Sequence, residues 1–284
     1  MMHKEMILDK LNSIQEVPTL LTIAAEVERL TQNPDTSADN ISNVIKLDPS
    51  LTGKVLKVAN SVMFAGTQRI LDLQQAITRL GFAEIRRLTL TIAFLNSFKS
   101  VYVDYTRFWL HSITTAFLAL NLEKLSGTEQ KSDRLFTCGI LHDIGILIFD
   151  QYFPDIYKKV FSMSSAKQYQ LELVEEKVLG ITHAQVGALL LSKWKIPEQI
   201  IDVIEYHHHP QEAKISVRDA KIVYLANFIS NNRGIDNGTG FFPENFYDDI
   251  FSDLQLNVDD MPELIAQVES EVEKAMQILK LGGK

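Results

Sequence analysis

Apolar residues in this 284-residue chain recur at three- and four-residue spacing nearly from end to end. No stretch of strict apolar/polar alternation is long enough to demand a strand, so the pattern confines the chain to an all-α fold. From Pro18, the residues Leu21, Ala24, Ala25, Val27 and Leu30 form the first stripe, which ends at Asn33-Pro34. A helix starting near Ser37 carries Ile41, Val44, Ile45 and Leu47. Asp48 is a natural N-cap for the next one, with Pro49 tolerated in its first turn. That helix is predicted to run to about Met63, before a turn through Gly66. Asp72 caps a short helix over Leu73 to Leu80, stopped by Gly81 because glycine takes positive φ without steric cost. Another helix reaches about Phe98, followed by the polar stretch Lys99 to Asp104. Beyond it, helices are expected near 104–126, 130–152, 154–179, 182–194, 197–208 and 215–232, with Thr182, Pro197 and Ser216 as start signals. Gly234 to Pro243 is the one long loop-like stretch. A final helix, Pro262 to about Leu281, sets Glu and Lys outside an apolar stripe, which suits it to covering the body or binding a partner.

The polar stretch at 99–104 is the expected seam between an N-terminal helical subdomain, 1–103, and a second helical subdomain, 104–284. No Pro/Gly/Ser-rich linker lies there, so the first is expected to pack on the second. With 46% hydrophobic residues, 13 Gly and 8 Pro, the chain is neither disordered nor collagen-like. The single cysteine, Cys138, cannot form an internal disulfide. The first residues mix Lys4, Glu5, Asp9 and Lys10 with apolar ones, unlike a signal peptide, which makes the cytoplasm the expected compartment. No apolar run approaches the roughly 18 residues of a membrane helix, so no membrane association is expected. A formal charge of −8 lacks the cationic footprint that nucleic-acid binding needs.

Six of the seven histidines fall at 111, 142, 183, 207, 208 and 209. His142 and Asp143 sit inside the apolar stretch Cys138 to Gly145, and a buried carboxylate is costly unless it is paired, hydrogen-bonded or bound to metal. One His-Asp pair alone is more often an ordinary satisfied core pair. The other histidines change that balance. His111 lies in Phe108-Trp109-Leu110-His111-Ser112, His183 follows the Gly180-Ile181-Thr182 turn, and His207-His208 closes a helix before Pro210. Four or five imidazoles and one carboxylate suit one or two transition-metal ions. No short motif of the Cys-x-x-Cys or His-Glu-x-x-His kind accompanies them, and His209 reads as the exposed third member of its run.

The order His111, His142-Asp143, His183, His207-His208 and a late Asn227 resembles the HD superfamily of metal-dependent phosphohydrolases. Asp48-Pro49-Ser50-Leu51-Thr52, then Val58-Ala59-Asn60-Ser61, then Gln75-Ala76-Ile77 with Leu80-Gly81, resembles its HDOD subfamily, the HD-related output domain. The likeness covers about residues 15–210. It implies an HD-like multi-helix fold in a bacterial signalling or regulatory protein, with a protein partner, and many such proteins have lost metal ligands. It also implies a metal set of His111, His142, Asp143 and Asn227 for one ion of iron, manganese or zinc, with His183, His207 and His208 holding a second ion or contacting phosphate. The alternative it implies is a metal-dependent phosphohydrolase acting on a nucleotide or other phosphoester, with Asp143 as the catalytic bridge. Three departures bear on this. Asn227 stands where an HD phosphohydrolase has its last Asp, Ile146 stands where HD-GYP proteins have Lys, and no Gly-Tyr-Pro follows His208. With Asp143 the sole negative ligand, two divalent ions would leave about +3, so one ion is the easier to hold.

Overall fold

Side-chain caps set the starts of three helices in the N-terminal part of the chain, at Ser37, Asp48 and Asp72. The computed structural model describes residues 2–14, 17–61, 64, 68–127, 134–167, 169–239, 249–257, 259 and 261–283, and all regular structure among them is helical. Two units divide the chain. One comprises Glu16–Phe98 and Glu273–Lys284, with α2 (Thr19–Thr31), α3 (Ala38–Ile45), α4 (Pro49–Ala59), α5 (Leu73–Leu80) and α6 (Phe82–Ser97). Ser37 and Asn40 exchange backbone and side-chain bonds in a capping box at the start of α3. Asp48 accepts from Leu51 N at 2.7 Å ahead of Pro49, and Asp72 accepts from Gln75 N at 2.8 Å. Gly81, at φ +83°, ends α5 in a conformation that side chains other than glycine rarely adopt. The core of this unit is built from Ile41, Ile45, Leu51, Val55, Ile77, Ile85 and Ile92.

α4 is shorter than the periodicity predicts. It stops at Ala59 because the Asn60 amide donates to Leu56 O at 3.0 Å and Ile70 O at 2.9 Å and accepts from Ile70 N at 2.8 Å. These bonds draw the chain back toward α5, and Met63 and Gly66 lie outside the described residues.

The other unit comprises Met1–Gln15 and Lys99–Val272. Its helices are α1 (Met2–Ser13), α7 (Tyr105–Leu125), α8 (Arg134–Leu141), α9 (Ile144–Tyr152), α10 (Pro154–Lys167), α11 (Leu171–Leu179), α12 (His183–Lys193), α13 (Glu198–Tyr206), α14 (Val217–Asn232) and α15 (Ile250–Asp253), with a 3-10 turn at Pro210–Glu212. Two expected helices are each split. The helix expected over 130–152 breaks at His142-Asp143, where Asp143 leaves helical geometry at φ −97°, ψ 9°. The one expected over 154–179 breaks between Lys167 and Leu171, where Gln170 is extended and Ser164 Oγ donates to Tyr169 O. α14 begins where Ser216 signals a start, with no side-chain cap; Asp202 instead fixes the segment leading into it, its carboxylate accepting from the backbone N–H groups of Lys214, Ile215 and Ser216 at 2.8–3.0 Å. The division between units falls inside α16 (Met261–Gly282), whose stripe of Leu264, Val268, Ala275 and Ile278 is buried. None of the described helices is long and apolar enough to cross a membrane.

Two glycines flank the His142-Asp143 break and let neighbouring backbones come close. A Cβ on Gly139 would lie 2.4 Å from Ala116 Cα in α7, and one on Gly145 would lie 1.9 Å from His183 O at the start of α12. Only glycine admits α7 and α12 this near to the break, and those helices carry His111 and His183.

Candidate metal centre

Four chain segments converge on the Asp143 carboxylate. His111 comes from the middle of α7, and His142 and Asp143 come from the break between α8 and α9. His183 opens α12 behind the Thr182 capping box, and His207 and His208 follow the end of α13. Asp143 Oδ2 lies 3.2 Å from His142 Nε2 and 3.5 Å from His111 Nε2. Its Oδ1 lies 3.3 Å from His183 Nε2 and 3.5 Å from His207 Nε2. His208 Nε2 is 3.0 Å from His183 Nε2. Metal-ligand atoms thus gather in two groups, one of His111, His142 and Asp143 and one of Asp143, His183, His207 and His208, sharing Asp143. All are buried to 2% exposure or less except His208, which is half-buried.

The far side of each ring explains its orientation. His111 Nδ1 bonds Ile235 O at 2.7 Å, His142 Nδ1 bonds Gly139 O at 2.8 Å, and His207 Nδ1 bonds Ile204 O at 2.7 Å. A carbonyl only accepts, so these partners assign the proton to Nδ1, and a neutral ring then points a bare Nε2 inward. His183 Nδ1 is held by Glu175 Oε2 at 2.7 Å, which also accepts from His183 N. Two bare Nε2 atoms therefore face each other 3.1 Å apart in His111 and His142. Asp143 Oδ1 and His207 Nε2 are buried without a hydrogen-bond partner. Lone pairs crowded at hydrogen-bond distance around a carboxylate, with donors turned outward, fit a cation at the centre.

The electrostatics point the same way. Burial alone would raise the Asp143 pKa, but His142, His183 and His207 outweigh it and hold the carboxyl well below its ordinary range. Burial pushes the His207 imidazole down to about 3, with His208 adding to it, so this ring stays neutral and able to ligate. Burial and His142 likewise lower His111. His183 is opposite in sign: burial would lower it, yet Glu175 and Asp143 hold it well above the ordinary value.

Sequence reasoning did not single out Glu175 and Asn237. Glu175 is fully buried, supports His183 from α11, and accepts from the Tyr157 hydroxyl at 2.5 Å. Its signal was legible: it occupies an apolar-stripe position beside Leu171, Val174 and Leu179. Asn237, in the loop after α14, donates its Nδ2 to Asp143 Oδ2 at 2.7 Å. Asn227 lies on α14, where its Oδ1 accepts from Asn231 at 2.8 Å and its buried Nδ2 has no hydrogen-bond partner. Thus the amide bonded to Asp143 is that of Asn237. His209 is 45% exposed, 3.3 Å from Glu172.

The family model described as the HDOD domain matches residues 17–210. The chain is similar to an uncharacterised protein of Treponema pallidum (strain Nichols), at 27% identity over 212 residues covering 73% of this chain and 41% of that protein. The chain therefore spans about two fifths of the length of the curated relative it matches. Its fold is similar to that of an HDOD domain protein of unknown function from Geobacter sulfurreducens (TM-score 0.77, 20% identity, covering 99% of this chain and 98% of that one). It is also similar to a protein from Shewanella amazonensis SB2B provisionally named a phosphohydrolase (TM-score 0.75, 24% identity, 100% of both chains). A third similar fold is that of a protein from Marinobacter aquaeolei VT8 provisionally named a signal transduction protein (TM-score 0.75, 25% identity, 92% of this chain and 58% of that one). An all-helical fold, the DPSLT and VANS segments capped and terminated as the motifs require, and a family match across more than half of its length together establish that this chain belongs to the HDOD family.

Proposed function

We propose that this chain is an HDOD-type signalling protein whose His/Asp centre binds a divalent transition metal, iron, manganese or zinc, and that it acts through a protein partner. The observation that carries this reading is the inward presentation of Nε2 atoms at Asp143, unprotonated in His111, His142 and His207, whose Nδ1 atoms are tied to backbone carbonyls, with His183 oriented by Glu175 at its Nδ1. Burial supports binding over turnover. A phosphoester touching Asp143 would have to displace side chains that are 2% exposed or less. Charge supports a single ion: Asp143 and Glu175 together neutralise one divalent cation, whereas two would leave about +2 in a buried site. The name carried by the Marinobacter aquaeolei protein supports the signalling side.

A phosphohydrolase reading is favoured by one observation, the sharing of Asp143 between two ligand groups. In it His111, His142 and Asn227 would hold one ion, His183, His207 and His208 would hold another or contact the phosphate, and Asp143 would serve both. When bound, the metal would supply Lewis acidity and an acidified water. The chain's own residues would orient the phosphate and keep bulk water out.

Metal analysis of untagged protein tests the centre. About one ion per chain is expected, and less than about a tenth after refolding with iron, manganese or zinc refutes it. Activity is tested separately on the metal-loaded protein with a chromogenic phosphodiester and a nucleotide panel. No hydrolysis is expected. Hydrolysis abolished by His142→Ala would establish the enzyme reading instead.

A further inference from the structure

We infer that Asn237 makes the two halves of the centre unequal, so that the first divalent ion is held by Asp143 Oδ1, His183, His207 and His208 while the His111/His142 half is the weaker site. This rests on the metal-centre reading above and adds which ligands are used and what selects them.

Asn237 Oδ1 accepts from Thr239 N at 3.2 Å and from Thr239 Oγ1 at 2.6 Å, which fixes the amide so that Nδ2 faces Asp143. Nδ2 then donates to Asp143 Oδ2 at 2.7 Å. An amide nitrogen that donates has no lone pair for a metal. The position beside Oδ2 is thus occupied by a donor, where a ligand oxygen would otherwise complete the set with His111 and His142. The loop holds this arrangement from both sides. Ile235 O accepts from His111 Nδ1, Asp236 pairs with Arg107, and Gly238, at φ +82°, passes so near Asp104 that a Cβ there would lie 3.2 Å from the Asp104 carbonyl oxygen.

Oδ1 is in the opposite situation. It is buried, has no hydrogen-bond partner, and faces His183 and His207, whose Nε2 is also without a partner. With His208 these make a closed set of three imidazoles and one carboxylate oxygen, the four-coordinate N/O set that zinc takes. The other half offers three ligand atoms. Glu175 sits behind His183, so the second negative charge of the centre also belongs to the four-ligand half. Asn237 is accordingly a positioning residue: it acts on the metal through the carboxylate that it holds.

Zinc and cobalt titrations against a competing chelator test this on the full chain. Wild type is expected to take up one ion before a second, weaker event. His208→Ala should weaken the first event at least about 100-fold, while His111→Ala leaves it within about threefold and removes the second. Asn237→Asp, which replaces the donor by a carboxylate ligand, should tighten the second event by about 10- to 100-fold, the scale on which outer-shell partners act. Because a histidine variant can fail to fold, X-ray absorption on wild type with one zinc provides an independent count: three imidazoles per zinc support the assignment. Two imidazoles, loss of the first event in His111→Ala, its survival in His208→Ala, or an unchanged second event in Asn237→Asp overturns it. Wild type that binds no ion at all refutes the metal-centre reading instead.

Discussion

Gly145→Ala is the smallest perturbation that should separate the fold from its centre. A Cβ at position 145 would stand 1.9 Å from His183 O, 2.7 Å from His183 C and 2.9 Å from His183 Cα. All three are backbone atoms at the first turn of α12, so no side chain can swing aside. Reaching even 3.0 Å from the carbonyl oxygen requires α9 and the start of α12 to separate by 1.1 Å. Overpacking of a rigid contact costs up to about 3 kcal/mol, and the helix preference of Ala over Gly offsets about 1 kcal/mol, leaving about 2 kcal/mol of destabilisation. The displacement falls on His183, whose Nε2 must stay near Asp143 Oδ1 and His208. Metal affinity should therefore drop by about 10- to 100-fold as well. Urea unfolding of metal-free protein reads the first effect and a chelator-competition titration reads the second. Gly187→Ala is the control. There the nearest atoms are the Ile144 and Ile204 Cγ2 methyls at 3.2 and 3.3 Å, which can give, so a change under about 1 kcal/mol is expected. Gly145→Ala with wild-type stability, within about 0.5 kcal/mol, and undiminished metal affinity would refute the claim that this approach positions His183.

Three other outcomes are expected. Glu175→Gln removes the carboxylate behind His183 while keeping its volume, and should weaken zinc by about 10- to 100-fold in the same titration; unchanged affinity would show that Glu175 serves packing alone. In the metal-free protein, burial would strip the His183 proton, but Glu175 and Asp143 keep its pKa well above the usual value, so at pH 7 the ring is charged. Metal must displace that proton, so binding should release about one proton per ion and strengthen about tenfold per pH unit as pH rises toward that pKa. Calorimetry in buffers of different ionisation enthalpy counts the proton, and a count of zero would contradict the charged state. Asn60→Ala strips three hydrogen bonds from the end of α4 and should cost about 2 kcal/mol in urea unfolding with no change in metal affinity. Equal stability would mean that water replaces the amide at no cost.

Helix starts were legible where the capping side chain is a near neighbour in sequence. Ser37, Asp48, Asp72 and Thr182 each reach a backbone N–H three residues on, so composition and spacing suffice. The break at His142-Asp143 was not legible, because helical periodicity continues across it. It forms where Gly139 and Gly145 admit α7 and α12 and where the imidazole and carboxylate meet partners 31 to 94 residues away. The histidines likewise announced themselves as a set, since polar side chains in apolar stretches need a shared explanation. Glu175 could have been found by the same logic, as a carboxylate on an apolar stripe.

What the sequence by itself determined about this protein is therefore its helical class, its family, and the identity of the side chains that must be compensated when buried. These follow from periodicity and local hydrogen bonding, which act over a few residues. Only the tertiary structure decided which oxygen of Asp143 faces which ring, and that the amide in contact with it is Asn237, 94 residues along the chain. Spacing along a sequence carries no information about direction in space, and ligation and hydrogen bonding depend on direction at the scale of a few tenths of an ångström.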